Sequence, residues 1–252
     1  MKSKVVISQN FSHLERLISD IPENHSDIGQ VIYSARNIVS VIDTPDRKIV
    51  VKYFKRINLI NRFAYTYLRR SKAERAYYNS LAMIERGIKS PNPIAFINCY
   101  DGLLLKRSYY ICEYTDYAPI KELFARPLCD IIPYLREFAR FAHNQHKEGI
   151  YHGDFNVSNT LFKITDSGCS FSMIDSNRMK FGKYSYKKGL FNMRRMNLPV
   201  ELFGIVAAEY AKEAGVNASE VLKYMSRYRD LFLRRAALKA KFKSYLKNIF
   251  NR

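Results

Sequence analysis

The sequence has no tryptophan and only four cysteines, which lie far apart in the 252-residue chain: Cys99, Cys112, Cys129 and Cys169. Zinc sites and dithiol redox centres are usually recognised by closely spaced cysteine pairs such as Cys-x-x-Cys. No such pair occurs in the sequence. Neither kind of site is therefore predicted, and four buried, reduced thiols are expected.

Long apolar stretches are also missing. After Met1 the chain has only Val5–Ile7 before polar residues return, and its longest useful apolar run, Leu202–Ala208, is flanked by Glu201 and Glu209. A secretory signal needs an apolar region of about 7–15 residues, and a membrane-spanning helix needs about 20. We therefore expect a cytoplasmic protein, with peripheral contact at the inner membrane left open.

Acidic residues are scarce relative to basic ones. The chain has 23 Asp and Glu against 42 Lys and Arg, which gives a formal net charge of +19. An excess of this size favours anionic partners such as phosphates, acidic lipid surfaces or nucleic acid, and it says nothing about the fold. Hydrophobic residues make up 47% of the chain, so a folded globular protein is expected rather than a disordered one.

The most informative stretch is Ile150–Phe162, which is followed by an apolar strand that ends at Asp175. It contains a carboxylate at Asp154 and an amide five residues later at Asn159. Phosphoryl transfer from a nucleotide needs a group that orients the acceptor hydroxyl and hard oxygen ligands that hold Mg²⁺ against the phosphates. With His152 upstream, this spacing resembles the catalytic loop and the metal-binding aspartate of the protein-kinase-like superfamily.

The resemblance implies a role for each of these residues. Asp154 would be the catalytic base, Asn159 and Asp175 would hold Mg²⁺, and the chain would be an ATP-dependent kinase. His152 would support the loop through hydrogen bonds. Lys52, in Val-Val-Lys, resembles the strand lysine that holds the α- and β-phosphates of ATP. Taken alone, Lys52 is more simply a solvent-facing lysine on a strand, and Asp154 a turn residue that caps local amides.

A helix that begins at Ser71 carries the candidate partner of Lys52. Ser71 and Glu74 match a capping box, in which Glu74 serves only to begin the helix. Tyr77 lies three residues beyond Glu74 on the same helical face, so Glu74 can also point inward. The resemblance then implies an ion pair between Glu74 and Lys52, with Glu85 as the weaker alternative.

Three short strands are predicted before this helix, two within Gly29–Asp43 and one over Lys48–Phe54, as an antiparallel meander. The turn between the first two, near Ser34–Asn37, contains no glycine. A glycine-rich loop over the phosphates is therefore not predicted, and Arg36 or nearby backbone amides are the alternatives.

Two further strands, Ile94–Cys99 and Ser108–Glu113, are predicted before a polar connector. The resemblance places the adenine-binding hinge at Glu113, Tyr114 and Thr115, where backbone groups would bind the base.

A longer helical pattern over Pro133–Glu148 leads into the catalytic stretch. It ends at Gly149, which suits the left-handed position after a helix. His143 and His146 lie on this helix without a matching carboxylate, so they are predicted to be structural.

Departures from the protein-kinase pattern indicate the kind of acceptor. Gly153 stands where regulated protein kinases carry the arginine that reads a phosphorylated activation loop, and Asn156 stands where serine/threonine kinases carry a phosphate-contacting lysine. Ser176-Asn177 replaces Phe-Gly after the metal aspartate, and no Ala-Pro-Glu follows. These differences favour a small-molecule or glycolipid kinase over a protein kinase.

A closer resemblance rests on four motifs: Arg86-Gly-Ile-x-x-Pro-x-Pro93, His146-x-x-Gly-Ile-Tyr-His-Gly-Asp-x-Asn-x-x-Asn159, Ile174-Asp-x-x-Arg178 and Asn192-Met-Arg-Arg-Met196. Together they resemble the lipopolysaccharide-core kinases over about residues 28–200. That family implies phosphate transfer from ATP to an inner-core sugar, Kdo first and heptose second, at the cytoplasmic membrane face.

Two segments concentrate the positive charge. Residues 178–195 contain seven Lys or Arg and no acid, which indicates either an exposed cationic loop or a surface for an anionic sugar and membrane. Residues 223–252 contain ten Lys or Arg against the single Asp230. In the second segment apolar residues recur at helical spacing, and this amphipathic helix either packs on its own lobe or binds an anionic surface: Leu238, Phe242, Tyr245 and Ile249.

The predicted fold is α+β and protein-kinase-like with two lobes. Residues 1–115 would form an N-terminal lobe with an antiparallel sheet and one helix, and residues 116–252 a mainly helical lobe with the catalytic loop. Two other functions stay open. One is an atypical kinase for a small molecule or a protein, similar to aminoglycoside kinases or associated with transfer-RNA machinery. The other is an inactive kinase-like module that binds anionic surfaces or nucleic acid.

Overall fold

The computed structural model describes residues 2–24, 29–55, 57–166, 168–196 and 198–250. The chain divides into two compact units. The first consists of Met1–Asp116 together with Ser172–Met179, and the second of Tyr117–Phe171 together with Lys180–Arg252. The segment that carries Asp175 therefore belongs to the first unit. The predicted division at residue 115 placed this segment in the second lobe.

The first unit is built on one sheet of six strands in the order β1-β5-β6-β4-β3-β2, with each neighbouring pair antiparallel. The predicted meander is present as β2, β3 and β4, and the two later predicted strands are present as the longer β5 and β6. The bounds are β1 Lys2–Ile7, β2 Gln30–Ser34, β3 Ile38–Asp43, β4 Lys48–Tyr53, β5 Pro93–Asp101 and β6 Leu104–Glu113.

Strand β1 was not predicted from the sequence. It lies at one edge of the sheet, paired with β5 from Lys2 opposite Tyr100 to Ile7 opposite Ala95. Its apolar run of three residues is too short to indicate a strand by itself. The strand forms because β5, buried along most of its length, offers it a row of backbone partners.

Residues along β4 alternate between the two faces of the sheet, as a strand requires. Ile49, Val51 and Tyr53 are buried on one face in a core that also contains side chains from the segment before β2. Val50 packs on the other face against a core that the helix Lys72–Glu85 covers. Lys52 shares the parity of Val50, so its side chain lies on the helix-covered face.

The helices of the first unit are short except for that covering helix. Their bounds are a 3-10 helix Gln9–Leu14, α1 Glu15–Asn24, α2 Leu59–Phe63 continued by a π-helical turn Ala64–Leu68, α3 Lys72–Glu85, and a 3-10 turn Ser176–Arg178. Helix α3 begins as predicted, because the hydroxyl of Ser71 accepts the backbone N–H of Glu74 at 3.1 Å. Such a cap contributes about 1 kcal/mol to helix stability.

The second unit is mainly helical. Its bounds are β7 Ala118–Pro119, α4 Ile120–Phe124, α5 Leu128–Lys147, β8 Ile150–Tyr151, β9 Thr160–Thr165, β10 Gly168–Met173, β11 Lys180–Phe181, α6 Tyr186–Met193, α7 Val200–Ala214 and α8 Ala218–Phe250. Strands β10, β9 and β7 form a small sheet, and β11 pairs with β8. None of the helices in the described ranges is both long and apolar enough to cross a membrane.

Helix α5 begins earlier than the pattern from Pro133 predicted. It starts at Leu128 and contains Pro133 in its second turn, where the missing N–H removes one hydrogen bond without ending the helix. Its end is as predicted, since Gly149 follows with φ of 69°. A side chain at Gly149 would also lie 1.9 Å from the carbonyl oxygen of Gly182, so only glycine fits there.

Candidate active site

In the first unit, Lys52 and Asp175 form an ion pair. The ammonium Nζ of Lys52 lies 2.7 Å from Oδ1 of Asp175, and each side chain is mostly shielded from solvent. The same carboxylate oxygen accepts a hydrogen bond from the amide of Asn177. The predicted strand lysine and the predicted metal aspartate are therefore in direct contact.

The backbone at Asp175 is unusual. With φ of 61° and ψ of 46°, it is the one non-glycine residue with positive φ in the part of the chain that the structure describes. Residues in this region are uncommon and persist where their surroundings hold them. At Asp175 the surroundings are the 3-10 turn Ser176–Arg178 and helix α3.

Helix α3 holds this turn through buried hydrogen bonds. The hydroxyl of Ser176 lies 2.9 Å from the hydroxyl of Ser80 and donates to the carbonyl of Ala76 at 2.9 Å. The amide of Asn79 donates to the carbonyl of Ser176 at 2.7 Å, and Tyr110 of β6 donates to Ser80 at 3.1 Å. Ser176, which replaces the phenylalanine of Asp-Phe-Gly, thus fixes the residue after Asp175 to the helix.

Glu74 does not take the partner that was predicted for it. Its carboxylate lies 3.6 Å from Lys4 and 3.7 Å from Arg70, and none of the ion pairs of the described residues joins it to Lys52. The alternative residue, Glu85, is exposed at the end of α3. Lys52 pairs with Asp175 instead. Helix α3 therefore supports the candidate site through its hydrogen bonds to Ser176 and not through a carboxylate.

Lys72, the first residue of α3, was not singled out in the sequence. Its ammonium lies 5.9 Å from the ring centre of Phe54, and that of Lys52 lies 5.5 Å from the same ring. Burial, and after it the charges of Arg36 and Arg178, lower the pKa of Lys72, while Asp175 acts in the opposite direction. The carboxylate of Asp175 therefore has several cationic neighbours, and this surplus of positive charge favours an anion.

The predicted hinge residues lie at the end of β6 and just after it. The carboxylate of Glu113 accepts from Arg47 and from Asn92, each at 2.6 Å. The backbone N–H of Tyr114 donates to Lys48 at 3.0 Å. Adenine binding by Glu113, Tyr114 and Thr115 stays a prediction.

In the second unit, the loop after β8 brings Asp154 and Asn159 together. The side-chain amide of Asn159 donates to the backbone carbonyl of Asp154 at 2.9 Å, which assigns its nitrogen to this bond and leaves its oxygen as the acceptor. Asn156 closes the turn, because its oxygen accepts the backbone N–H groups of Ser158 at 2.9 Å and of Asn159 at 3.1 Å. The five-residue spacing thus forms one compact loop.

The loop is anchored on both sides of Asp154. His152 is fully buried, and its Nδ1 accepts the backbone N–H of Asp154 at 3.1 Å, which agrees with the supporting role that was predicted. Phe155 is also fully buried, in contact with the rings of His152, Phe138 and His146. Asp154 is therefore held between two buried rings.

Arg195 is a functional candidate whose role sequence reasoning missed. Its guanidinium Nη1 forms an ion pair with Oδ1 of Asp154, and Asn156 donates to the same oxygen at 3.3 Å. The sequence signals were the motif Asn192-Met-Arg-Arg-Met196 and the basic segment 178–195, and neither indicated a contact with Asp154. The contact depends on how α6 packs, and this cannot be read from the spacing alone.

Asn192, from the same segment, connects the loop to a buried polar network. Its amide nitrogen donates to the carbonyl of His152 at 2.6 Å, so its oxygen is the atom that lies 3.2 Å from Nε2 of His146. Nε2 must then carry a proton and Nδ1 must accept from the hydroxyl of Tyr210, 3.0 Å away. A Cβ at Gly189 would lie 2.3 Å from that hydroxyl, so the network requires glycine there.

The neutral state of His146 makes stability depend on pH. Burial lowers the pKa of His146 to about 3, whereas the unfolded chain takes up this proton below a pH of about 6.5. The free energy of unfolding should therefore fall as the pH drops from 6.5 towards 3, by up to about 1.4 kcal/mol per pH unit for this one proton.

Urea unfolding at several pH values between 6.5 and 4 tests this prediction. The variant His146→Gln should show a shallower dependence than the natural protein, although its stability is lower at neutral pH. The carboxylates and His143 titrate in both proteins and cancel in the comparison. Equal pH slopes would contradict the prediction.

No group of three or more His, Cys, Asp or Glu that could hold a metal ion occurs within the described residues. The predicted ligands, Asn159 and Asp175, are one amide and one carboxylate, each held in place within its own unit. Both offer the hard oxygen atoms that Mg²⁺ prefers.

Neither a family model nor a curated protein matches this sequence. Among solved structures, WaaP in complex with acyl carrier protein is similar over 93% of this chain and 98% of its own, with a TM-score of 0.61 and 13% identity. The Rio2 kinase complex with ADP/Mg²⁺ and phosphoaspartate from Chaetomium thermophilum is similar over 91% and 77%, with a TM-score of 0.48 and 17% identity. A double mutant of the Mycobacterium tuberculosis PknI kinase domain is similar over 80% and 94%, with a TM-score of 0.45 and 12% identity.

The likeness to WaaP extends over nearly the whole chain. Together with the six-stranded antiparallel sheet, helix α3 and the mainly helical second unit, it confirms the predicted α+β, protein-kinase-like fold.

Proposed function

We propose that this protein is an ATP- and Mg²⁺-dependent kinase that transfers the γ-phosphate to a hydroxyl of a lipopolysaccharide inner-core sugar. Kdo is the first candidate acceptor and heptose the second. The observation that carries the proposal is the loop of Asp154, whose carbonyl accepts the amide of Asn159. That bond holds the Asp154 carboxylate and the Asn159 amide oxygen on the same short loop, and we assign them to the acceptor hydroxyl and the cation.

Asp154 is the proposed catalytic base, which accepts or orients the proton of the acceptor hydroxyl. The ion pair with Arg195 and the hydrogen bond from Asn156 both involve Oδ1. These contacts fix the orientation of the carboxylate. A fixed carboxylate places the attacking oxygen in line with the phosphoryl group, and positioning of this kind supplies a large part of the rate enhancement.

Asp175 and Asn159 are the proposed ligands of Mg²⁺. Mg²⁺ is commonly held by one or two carboxylates together with substrate phosphates and water, so this small donor set fits it. When bound, Mg²⁺ neutralises the charge that develops on the transferred phosphoryl group. The ion pair with Lys52 keeps the Asp175 carboxylate ready for this role.

Lys52, Lys72 and Arg36 are the proposed ligands of the phosphates of ATP. The β2–β3 turn contains no glycine, so in this proposal side-chain cations bind the phosphates in place of the backbone amides of a glycine-rich loop. Arg36 lies in that turn, and its charge acts on Lys72.

Replacement of Lys72 by methionine should raise the KM for ATP about tenfold, since a hydrogen bond to a charged group is worth about 1.5–3 kcal/mol. The acceptor KM should stay within twofold. Steady-state kinetics measure both constants. Lys106→Met, which removes an exposed lysine of the same unit that pairs with Asp101, is the control. Equal KM values for ATP in the two variants would mean that Lys72 does not bind ATP.

The acceptor is tested by mass spectrometry of purified Kdo-lipid A after incubation with the protein, ATP and Mg²⁺. A mass increase of one phosphate supports Kdo, and a heptose-containing core acceptor is the second substrate to try. Phosphorylation only of a soluble aminoglycoside-like compound or of a protein would favour an atypical kinase with the same fold. Absence of any Mg²⁺-dependent ATP turnover would favour an inactive module that binds anionic surfaces or nucleic acid.

We also propose that the protein works at the cytoplasmic face of the inner membrane, with helix α8 as the contact. The apolar residues of its distal part do not pack on the second unit, since Leu238, Phe242 and Tyr245 are 66%, 62% and 63% exposed. Ile249, predicted to continue this stripe, lies outside the residues whose side chains are described. An exposed apolar stripe on a strongly basic helix fits the interface of an anionic bilayer.

The double variant Leu238→Glu/Phe242→Glu should bind vesicles with anionic lipid at least tenfold more weakly, because each buried apolar side chain contributes about 1.5–3 kcal/mol. Flotation with vesicles of phosphatidylglycerol and phosphatidylethanolamine measures this. Leu103→Glu, at a leucine in the β5–β6 turn that is also strongly exposed, is the control. Binding that is unchanged in the double variant would exclude α8 as the contact.

A further inference from the structure

A pocket lies between helices α6 and α8 in the second unit. It has a volume of about 340 Å³, within the usual range for small-molecule sites. Four cationic side chains line it, together with aromatic and aliphatic ones, and its lining contains no acidic residue. The cationic residues are Arg194, Arg195, Arg235 and Lys239.

The arrangement follows from the spacing on the two helices. Arg235 and Lys239 are four residues apart on α8, and Phe232 precedes Arg235 by three, so all three lie on one helical face. Arg194 and Arg195 follow the last residue of α6. Leu238 and Phe242 follow Arg235 and Lys239 by three residues each, so the exposed distal apolar stripe begins beside the basic residues that line the pocket.

Aromatic rings hold the guanidinium groups in place. The guanidinium carbon of Arg194 lies 3.8 Å from the ring centre of Phe191, and that of Arg195 lies 5.5 Å from the ring centre of Phe232. Phe191 in turn contacts Tyr228 edge to face, with 5.3 Å between ring centres. Nη1 of Arg194 donates to the carbonyl of Phe191 and Nη1 of Arg195 donates to Asp154. The other N–H groups of the two guanidinium groups can bind a planar anion such as a carboxylate.

Positive charge in the pocket is not balanced by its own lining. Burial, and after it the charges of Arg195 and Arg235, lower the pKa of Arg194. The Nε of Arg195 is buried without a hydrogen-bond partner. Cations placed this close repel one another, so an anion that enters the pocket relieves the repulsion.

Arg195 connects the pocket to the candidate catalytic base. One of its nitrogens, Nη1, pairs with Asp154, while the residue also lines the pocket. A group bound in the pocket therefore lies one arginine side chain away from Asp154. This is a suitable separation for an acceptor sugar whose anionic group is held in the pocket and whose hydroxyl reaches the carboxylate.

We propose that the α6–α8 pocket binds the anionic group of the acceptor sugar, a carboxylate or a phosphate, with Arg235 and Lys239 as specificity residues. This inference rests on the proposed kinase function for its catalytic consequence, but not for the binding itself. Aromatic walls contact the sugar ring, and the four cations select sugars that carry a negative charge.

The test compares two double variants of the full chain that lose the same charge from the same helix. Arg235→Gln/Lys239→Gln changes the pocket, and Arg234→Gln/Lys241→Gln removes two exposed charges outside it. Binding of Kdo, of its neutral methyl ester and of inorganic phosphate is measured by NMR titration without ATP. Kinetics with the acceptor follow.

We expect the pocket variant to bind Kdo or phosphate at least tenfold more weakly, with little binding of the methyl ester by any of the proteins. Its acceptor KM should rise at least tenfold while kcat and the KM for ATP stay within twofold. Preference for Kdo over phosphate identifies a carboxylate as the anionic group, and the reverse identifies a phosphate.

Equal affinities in the two double variants would overturn the pocket assignment, as would equal binding of Kdo and its ester. The outcome separates the two proposals. Phosphate transfer with an unchanged acceptor KM in the pocket variant would reject the pocket assignment and support the kinase function. Anion binding that depends on Arg235 and Lys239, without any phosphate transfer, would support the pocket assignment and reject the kinase function.

Discussion

Asp154→Asn should lower kcat by about a thousandfold or more, while the affinity for ATP changes little. General bases contribute about 10²–10⁴ to the rate, and under the proposed mechanism Asp154 also orients the attacking hydroxyl. Asparagine keeps the size of the side chain, so the hydrogen bonds from the loop to the backbone of residue 154 should remain. Single-turnover kinetics with labelled ATP measure the effect, and nucleotide binding is measured separately.

Asp166→Asn is the control for this variant, because Asp166 lies in the exposed turn after β9 of the same unit. Loss of the Asp154 charge also leaves Arg195 without this ion pair, so thermal unfolding must show that the variant is folded. A fall in kcat of less than tenfold in the folded variant would mean that Asp154 is not the base.

Asp175→Asn should weaken the binding of ATP in the presence of Mg²⁺ by about a hundredfold or more. Loss of a group that only supports a metal ligand commonly costs 10–100-fold in affinity, and a direct ligand should lie at or beyond the upper end. Asparagine tolerates the left-handed backbone of this position. The variant therefore removes the charge and preserves the conformation.

Titration of a fluorescent ATP analogue, with and without Mg²⁺, measures this effect. The variant should lose most of the gain in affinity that Mg²⁺ gives the natural protein. Asp101→Asn, at an exposed aspartate of the same unit that pairs with Lys106, should leave that gain unchanged. A gain that is retained in Asp175→Asn would assign the metal to other residues.

Sequence patterns were sufficient where the local chemistry decides the structure. The meander of β2, β3 and β4, the start of helix α3 after Ser71 and the left-handed Gly149 were predicted close to their observed positions. In each case strand alternation, helix initiation or a C-terminal glycine acts within a few residues. Lys52 and Asp175 were recognised through their resemblance to a known superfamily. In the structure, Nζ of Lys52 lies 2.7 Å from Oδ1 of Asp175.

The sequence was insufficient where partners come from distant elements. Strand β1 depends on its pairing with β5, which lies about ninety residues later in the chain. The family pattern predicted Lys52 as the partner of Glu74. Glu74 pairs instead with Lys4, which belongs to the unpredicted strand β1. Arg195 and Asn192 reach the catalytic loop across about forty residues, and no periodicity indicates such contacts.

The hydrogen bonds between α3 and Ser176 have a consequence for control of the proposed kinase activity. A small buried hydroxyl tied to Ala76 and Ser80 leaves no bulky side chain that can swing in and out behind Asp175. Gly153, at the same time, offers no receiver for a phosphorylated loop. For the proposed kinase we therefore expect activity that does not depend on phosphorylation of a loop after Asp175.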